Sequence, residues 1–168
     1  SIERLNLILG DCANRFQDSR VDVQRGAGHL AHEGPGNARG PFDDAGHATA
    51  GGIHAALQWA LDPDGDPATA DAPDIVNNSW AFGAVGCNLE FQADLQALRA
   101  AGILPVFAAG NFGPGAGTDV SPANYPEAVS VGAITATNSI YAYSSRGPTS
   151  CGGAARPYPA VVARGVNI

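Results

Sequence analysis

The 168-residue chain contains no lysine and no methionine, so all nine of its basic residues are arginines. Sixteen aspartates and glutamates outnumber them and set a formal net charge of −7 at pH 7. A nucleic-acid-binding surface needs a stripe of basic side chains that neutralises phosphates. The shortage of positive charge therefore argues against a nucleic-acid partner.

Long hydrophobic runs and cysteines are also scarce. No apolar run approaches the roughly 18 residues that a membrane-spanning helix requires, so we expect no membrane span. The start of the chain carries acidic side chains where a secretion signal has a basic and then an apolar stretch, so we expect no signal peptide here. Three cysteines (Cys12, Cys87, Cys151) form at most one intrachain disulfide, which excludes a disulfide-rich scaffold.

The chain does contain enough apolar surface to fold. Apolar residues make up 45% of it and charged residues 15%, which excludes an intrinsically disordered protein. Its 22 glycines and 12 prolines indicate many tight turns. A length of 168 residues fits one compact domain or a piece of a larger one.

The charge pattern divides the chain near residue 40. Residues 1–40 contain five arginines and five acidic residues, whereas residues 41–168 contain four arginines and eleven acidic residues. Residues 1–40 lack sustained periodicity, and we expect 26–40 to be loop or disorder. We therefore treat residues 1–40 as an unassigned N-terminal segment, and disorder is one expectation for it. Two interpretations of them are a divergent N-terminal part and out-of-register translation joined to a genuine reading frame.

Beyond that segment, apolar runs alternate with helical patterns, which indicates an α/β domain with a mostly parallel sheet. Apolar residues at helical spacing from Ile53 to Leu61 predict a helix capped by Thr49 that ends near Pro63. A second helix is predicted over 91–101. The predicted strands are residues 74–80, 103–109, 128–134 and 160–163. The run 103–109 is apolar enough to be buried on both faces of the sheet.

Asn111 follows this buried strand directly, inside a glycine-rich bend. An amide held rigidly in such a place can donate a hydrogen bond to a developing oxyanion, a contribution of roughly 3–4 kcal/mol. The alternative is an asparagine that adopts a left-handed turn conformation. The stretch Gly110–Gly117 also suggests a dinucleotide-binding loop, but residues 118–126 cannot start the helix that must hold the pyrophosphate.

Five blocks of sequence occur in an informative order and spacing. They are Asn77-Asn-Ser-Trp80, Phe107-Ala-Ala-Gly-Asn-Phe-Gly-Pro114, Ser121-Pro-Ala-Asn-Tyr-Pro126 with Val129-Ser-Val-Gly-Ala133, Ser144-Ser-Arg-Gly-Pro148 and Val162-Ala-Arg-Gly-Val-Asn-Ile168. Together they resemble the successive blocks of the subtilisin-like serine proteases, in particular the bacillopeptidase type. The resemblance implies a three-layer α/β subtilisin-like fold with a mostly parallel sheet, present as an incomplete peptidase domain over residues 41–168. It also implies a protein or peptide substrate, hydrolysis through an acyl-enzyme, and a secreted or extracellular location.

The resemblance further implies the residues of a substrate site. Asn111 corresponds to the oxyanion-hole amide. The residues along an extended substrate are Ser79, Trp80 and Ala81, and those of one wall of the S1 pocket are Ala108, Ala109 and Gly110. Ala81 stands where the family usually has glycine, and Arg164 replaces the usual proline of the last block. No cofactor is implied, apart from calcium in the complete domain.

The catalytic triad of such enzymes is missing from recognisable positions. A Gly-Thr-Ser-Met-Ala block, a His-Gly-Thr-His block and an early strand ending in aspartate are all absent. The chain stops at Ile168, before the serine block is expected, so we expect a fragment or truncated gene product that is inactive alone. Ser150 imitates the nucleophile motif but is interpreted as a turn residue. The alternative function is a non-catalytic module that binds peptides.

The histidines are weak candidates for the catalytic base. His29 and His47 each resemble part of the family's histidine block, but too few residues separate them from Ser79 for the strands that the family places there. His29 and His32 lack a third partner for a metal ion. His54 is interpreted as a surface residue of the first predicted helix.

Two smaller signals lie in predicted loops. Asp62, Asp64 and Asp66 alternate as in calcium-binding loops, but no bidentate glutamate follows, which favours a plain acidic turn. Cys87 and Cys151 follow blocks that the resemblance places near the substrate side, so a disulfide between them is a hypothesis.

Overall fold

A computed structural model describes residues 21–25, 28–29, 41–42 and 47–166. Its elements are β1 (Val21–Arg25), β2 (Gly28–His29), α1 (Ala50–Trp59), β3 (Ile75–Asn78), α2 (Gln92–Ala100), β4 (Leu104–Ala108), β5 (Val129–Ile134) and β6 (Val161–Arg164). The strands form one sheet in the order β2-β1-β3-β4-β5-β6. Neither helix of this described part is long and apolar enough to cross a membrane.

The sheet confirms the predicted α/β fold. Its four neighbouring strands β3 to β6 run parallel, and β1 and β2 add an antiparallel edge. Each parallel strand coincides with a predicted apolar run to within a few residues. In β4, Val106 and Phe107 point to opposite faces and both are fully buried. Burial on both faces explains why this strand is a continuous apolar run rather than an alternating one.

The N-terminal segment departs from the sequence-based interpretation. The sequence predicts no element before residue 42 and a loop over 26–40, yet Val21–Arg25 pairs with β3, and Gly28–His29 pairs with β1. The only local signal is the alternation Val21-Asp-Val23, which is too short to indicate a strand by itself. The edge of β3 supplies the pairing partner. The side chains of His29 and His32, and residues 1–20 and 30–40, lie outside what the structure describes.

Helix α1 begins where the sequence predicts. The Thr49 hydroxyl accepts a hydrogen bond from the Gly52 N–H at 3.1 Å, which satisfies one of the free N–H groups of the first turn. Ile53 and Leu57 form the buried stripe of the helix. The helix ends before Pro63, as the inability of proline to continue a helix requires.

Both described helices join one buried core on one face of the sheet. Its centre is a cluster of aromatic rings in which Trp80 lies 5.5 Å from Phe91 and 5.3 Å from Phe107, both edge to face. Such pairs add about 0.5–1.5 kcal/mol beyond the burial of their area. A second, smaller core on the opposite face contains Val106 and Val131, and neither described helix contributes to it.

His54 of α1 connects the two helices. Its Nδ1 lies 2.8 Å from Oδ2 of Asp94, and its Nε2 lies 3.4 Å from Oε1 of Glu90. Its ring packs 4.7 Å from that of Phe91, between centroids. The hydrogen bond to Glu90 and that to Asp94 raise the pKa of His54 above its ordinary value of 6.5, because both carboxylates favour the protonated ring. This surface histidine therefore also holds α1 against α2.

We expect the contribution of His54 to stability to depend on pH. A group whose pKa rises on folding stabilises the folded state below its unfolded value, and that contribution is lost as pH rises through the higher folded value. The His54→Gln variant should therefore melt at a lower temperature than the parent chain at about pH 5.5, with a smaller difference at about pH 9. Thermal unfolding followed by circular dichroism measures this difference. Gln58→Ala, at an exposed position of the same helix, is the control, and an equal loss at both pH values would contradict the charged pairing.

Candidate functional site

The carboxyl ends of β3 and β4 meet at one edge of the sheet. The two strands are parallel, with Asn78 opposite Phe107, so the segments that follow them leave the sheet side by side. Residues 79–83 follow β3 and residues 109–112 follow β4. In open α/β sheets ligands bind at this edge. Both predicted groups of substrate-site residues lie here.

Asn111 is held by a main chain that is fixed on both sides. Gly110 has φ of +101°, which turns the chain out of the sheet in a conformation that favours glycine. The fully buried Ser145 donates its N–H to the Gly110 carbonyl at 2.9 Å, and its Oγ accepts the Phe112 N–H at 3.1 Å. Asn111 itself is exposed. Its amide is therefore accessible to a bound group while the main chain beside it is restrained.

Asn111 and the predicted wall of the S1 pocket lie together. They line a small cavity of about 10 Å³, and its lining residues are Ala108, Ala109, Gly110, Asn111, Val131, Ala133 and Ser144. This volume is at the lower limit of what one water molecule needs. The small side chains form a closed wall at this point, and their assignment to an S1 pocket stays a prediction.

A larger groove of about 350 Å³ runs along residues 79–83. Its lining residues are Phe42, His47, Ala48, Ile53, Ser79, Trp80, Ala81, Phe82, Gly83 and Phe112. Trp80 is 3% exposed, and its indole N–H donates to Oδ1 of Asn78 at 3.1 Å inside the core. The ring of Trp80 therefore serves the core, and only the main chain of this residue is suited to pair with a ligand.

The main chain of Trp80 and Ala81 is an edge that no described residue pairs with. Their N–H and C=O groups make no hydrogen bond within the described part of the chain. The next N–H, that of Phe82, donates to the Ser121 carbonyl at 2.9 Å. An extended peptide adds to an edge of this kind through main-chain hydrogen bonds. That Ser79, Trp80 and Ala81 lie along a substrate stays a prediction.

The candidate catalytic residues are placed differently. His47 lines the larger groove from the loop before α1, and no role as a base follows from that position. The Ser150 carbonyl accepts the Gly153 N–H at 3.3 Å, which confirms Ser150 as the first residue of a turn. Ser150 lines neither of the two cavities.

The acidic loop after α1 is held by its own hydrogen bonds. Carboxylate oxygens of Asp62, Asp64 and Asp71 lie within 4.8 Å of one another, so the third member of the group is Asp71 and not Asp66. The Asp66 N–H and the Thr69 hydroxyl donate to Asp64 and lower its pKa. Calcium takes about six to eight oxygen ligands, and this group offers three carboxylates, two of which already accept bonds of the loop. The acidic turn remains the interpretation.

Cys87 and Cys151 form the disulfide that the sequence suggested, with their Cα atoms 5.2 Å apart. The bond links residues 64 positions apart in sequence. It joins the segment that follows the groove edge to the turn after Ser150. The disulfide hypothesis is therefore confirmed.

Comparison with known proteins decides the family. The sequence pattern of the Subtilase family matches residues 38–167, which is most of the chain. The chain belongs to the subtilase family. The resemblance carried by the five sequence blocks is thereby confirmed.

Two characterised relatives are similar to this subtilase. Bacillopeptidase F of Bacillus subtilis (strain 168) is 39% identical over 122 residues, which are 66% of this chain and 8% of that protein. Subtilisin-like protease PopC of Myxococcus xanthus (strain DK1622) is 29% identical over 129 residues, which are 70% of this chain and 26% of that protein. This subtilase chain thus spans a small part of the length of the relatives it matches.

Among solved structures, the prenylagaramide maturation protease PagA is similar with a TM-score of 0.50 and 20% sequence identity. The match covers 62% of this subtilase chain and 35% of that chain. At this identity the likeness bears on the fold alone. It agrees with the α/β architecture.

Sequence reasoning missed two parts of the subtilase site. The first is the part of the groove that Phe42, Ala48 and Phe112 line together with residues 79–83. The second is Ser145, whose hydrogen bond to Phe112 spans 33 positions in sequence. Ser145 lies within a block of the family resemblance, but its partner is not readable from local spacing.

We expect Gly110→Ala to destabilise the chain. A Cβ at residue 110 would lie 2.8 Å from Oγ of Ser145 and 2.9 Å from Cγ2 of Val120, and its backbone conformation costs a residue with a side chain about 1–3 kcal/mol. We predict that the free energy of unfolding in urea falls by about 2 kcal/mol or more. Gly51→Ala, where a new methyl group meets nothing within 4 Å, is the matched control and should be neutral or stabilising. Equal stability of the two variants would show that Gly110 is unstrained.

Proposed function

We propose that this chain forms the substrate-binding and oxyanion-stabilising part of a serine-type endopeptidase. The observation that carries the proposal is a juxtaposition at the ends of β3 and β4. There, the main chain of Trp80 and Ala81, which has no hydrogen-bond partner among the described residues, and the exposed Asn111 follow neighbouring parallel strands. Membership of the subtilase family supports peptide-bond hydrolysis as the reaction class, and both relatives are named as peptidases.

The substrate chain is proposed to add to the edge as an extended strand. Main-chain hydrogen bonds to Trp80 and Ala81 would hold it, and its side chains would enter the groove and the wall formed by Ala108, Ala109 and Gly110. The carbonyl under attack would face Asn111, whose Nδ2–H donates to the oxygen as negative charge develops. Because Ser145 already restrains the neighbouring main chain, little reorganisation is needed at that moment.

The nucleophile is the missing component. These 168 residues contain no Gly-Thr-Ser-Met-Ala block and no His-Gly-Thr-His block, so acyl transfer requires a serine and a histidine from outside them. We therefore propose that the chain alone binds peptides without hydrolysing them. Calcium stays a proposal for a complete domain only, and no cofactor takes part in the chemistry proposed here.

We propose a secreted or extracellular location for the protein. The support is the disulfide between Cys87 and Cys151, because such bonds form and persist in oxidising compartments.

The second candidate function is a non-catalytic peptide-binding module. The observation that favours it is the same set of absent sequence blocks, combined with an intact groove and edge. Both proposals require peptide binding and differ only in turnover.

Two measurements on the purified chain test peptide binding and the missing nucleophile. A fluorophosphonate probe is expected to leave the chain unlabelled, because no activated serine is present. A blocked hexa-alanine peptide is expected to shift the NMR amide signals of Trp80 and Ala81, whose N–H groups would gain partners. Covalent labelling would contradict the missing nucleophile, and unshifted signals at both residues would contradict the edge as the binding site.

The role of Asn111 is tested in a longer protein that joins these residues to a subtilase triad and in which turnover is measurable. Asn111→Ala is expected to lower kcat by about 10²–10³-fold, because the donated hydrogen bond strengthens as charge develops. KM should change little. Gln58→Ala removes an exposed amide outside the cleft and should leave both constants unchanged. A loss confined to KM would assign Asn111 to substrate binding instead.

A further inference from the structure

The segment that carries the unpaired edge is tied down immediately after it. The Phe82 N–H donates to the Ser121 carbonyl at 2.9 Å, and the Gly86 N–H donates to the Asp119 carbonyl at 2.8 Å. The Asn88 N–H donates to Oγ of Ser121 at 2.8 Å. We call residues 80–88 the edge segment. These three N–H groups all donate to Asp119 or Ser121, in a short stretch of chain beyond the Asn111 loop.

The side chains of that stretch form a buried polar cluster. Ser121 and Asn124 are each 1% exposed. Oγ of Ser121 donates to Oδ1 of Asn124 at 2.8 Å, while Nδ2 of Asn124 donates to Oδ2 of Asp119 at 2.8 Å and to the Gly86 carbonyl at 3.0 Å. Asp119, Ser121 and Asn124 are the anchor cluster. Because these groups are shielded from water, removing one leaves its partners unsatisfied.

The disulfide connects the edge segment covalently to the same cluster. Cys87 belongs to the edge segment and is exposed, whereas Cys151 is buried. Sγ of Cys151 lies 3.8 Å from Oγ of Ser121. The bond therefore runs from the surface segment into the anchor cluster, and its reduction leaves hydrogen bonds and the core packing of Trp80 and Phe82 to hold the segment.

Tyr125 holds the far end of the edge segment. Its hydroxyl donates to the Asn88 carbonyl and accepts the Phe91 N–H at 3.4 Å. Burial raises the pKa of Tyr125 above its ordinary value. The hydroxyl therefore keeps the proton that it donates.

We propose that Ser121, Asn124 and the Cys87–Cys151 disulfide are positioning residues that hold the peptide-binding edge in place. The bond at Phe82 is the first restraint after the unpaired groups of Trp80 and Ala81, so it sets where those groups point. An edge that is ordered before binding loses less conformational freedom when a peptide pairs with it. The consequence for peptide affinity rests on the proposed function, whereas the restraint of the edge does not.

The test compares three forms of the chain at a temperature well below unfolding. They are the parent, the double variant Cys87→Ser/Cys151→Ser, and Ser121→Ala. The matched control is Ser130→Ala, since Ser130 of β5 is also a buried serine whose Oγ accepts a main-chain N–H, that of Ala160 just before β6 at 2.9 Å. Hydrogen exchange of the Phe82 and Gly86 amides is read by NMR, because both donate to carbonyl groups that no substitution removes.

We expect these two amides to exchange about tenfold faster, or more, in the double variant and in Ser121→Ala, with β4 amides unchanged. The dissociation constant for the blocked hexa-alanine peptide should rise by a similar factor. Ser130→Ala should leave the Phe82 and Gly86 amides and the peptide affinity unchanged. If the double variant does not fold, reduction of the folded parent with dithiothreitol gives the same comparison.

Unchanged exchange at Phe82 and Gly86 in both test variants would overturn the proposal. Equal acceleration throughout the sheet would also overturn it, because that result is global destabilisation. If the parent chain fails to bind the peptide, the proposed function is wrong, and the exchange rates still decide whether these residues restrain the edge.

Discussion

The bend at Gly110 is the constraint on which the candidate site depends. Strand β4 is buried on both faces and cannot itself present a polar side chain to a ligand. A single residue of positive φ turns the chain from this buried strand into the exposed loop, so that Asn111 is the first residue outside. The absence of a Cβ at Gly110 also lets Ser145 approach closely enough to bond both flanking peptides. Glycine and Ser145 therefore require each other, and the position of the amide follows from both.

The edge at Trp80, on the other side of the cleft, is held by aromatic packing, hydrogen bonds and a disulfide rather than by a glycine bend. The edge at Trp80 is fixed from below by aromatic packing, because the Trp80 ring contacts Phe107 of the neighbouring strand β4. It is fixed from the side by the anchor cluster and the disulfide. Since Phe107 lies in the same strand that leads to Gly110, the core sets the spacing between the edge and the Asn111 loop. Burial of one large ring thus couples the two halves of the site.

The sequence predicts those parts of the protein whose signals are local. The continuous apolar run of β4, the cap and stripe of α1, and the bend before Asn111 are each visible within about ten residues, and they are found as predicted. β1 is missed because its stability comes from pairing with β3, more than fifty positions away. The third carboxylate of the acidic loop, Asp71, is missed because folding of the loop, and not spacing, brings it near. The disulfide was suggested only through the family resemblance, since three cysteines alone allow more than one pairing.

In the function proposed above, the two halves of the site would contribute to different terms of catalysis. Main-chain hydrogen bonds along the edge act on a bound peptide whether or not it reacts, so they stabilise ground state and transition state alike. The proposed role of the Asn111 amide begins mainly once a carbonyl oxygen gains negative charge, which requires a nucleophile. A chain that has both features without a nucleophile would therefore still bind a peptide. It would have no developing oxyanion for the amide to stabilise. For a module that only binds peptides, the bend at Gly110 and the Ser145 bonds would hold an amide with no charge to stabilise, whereas in the proposed protease they would hold a donor that helps to lower the barrier.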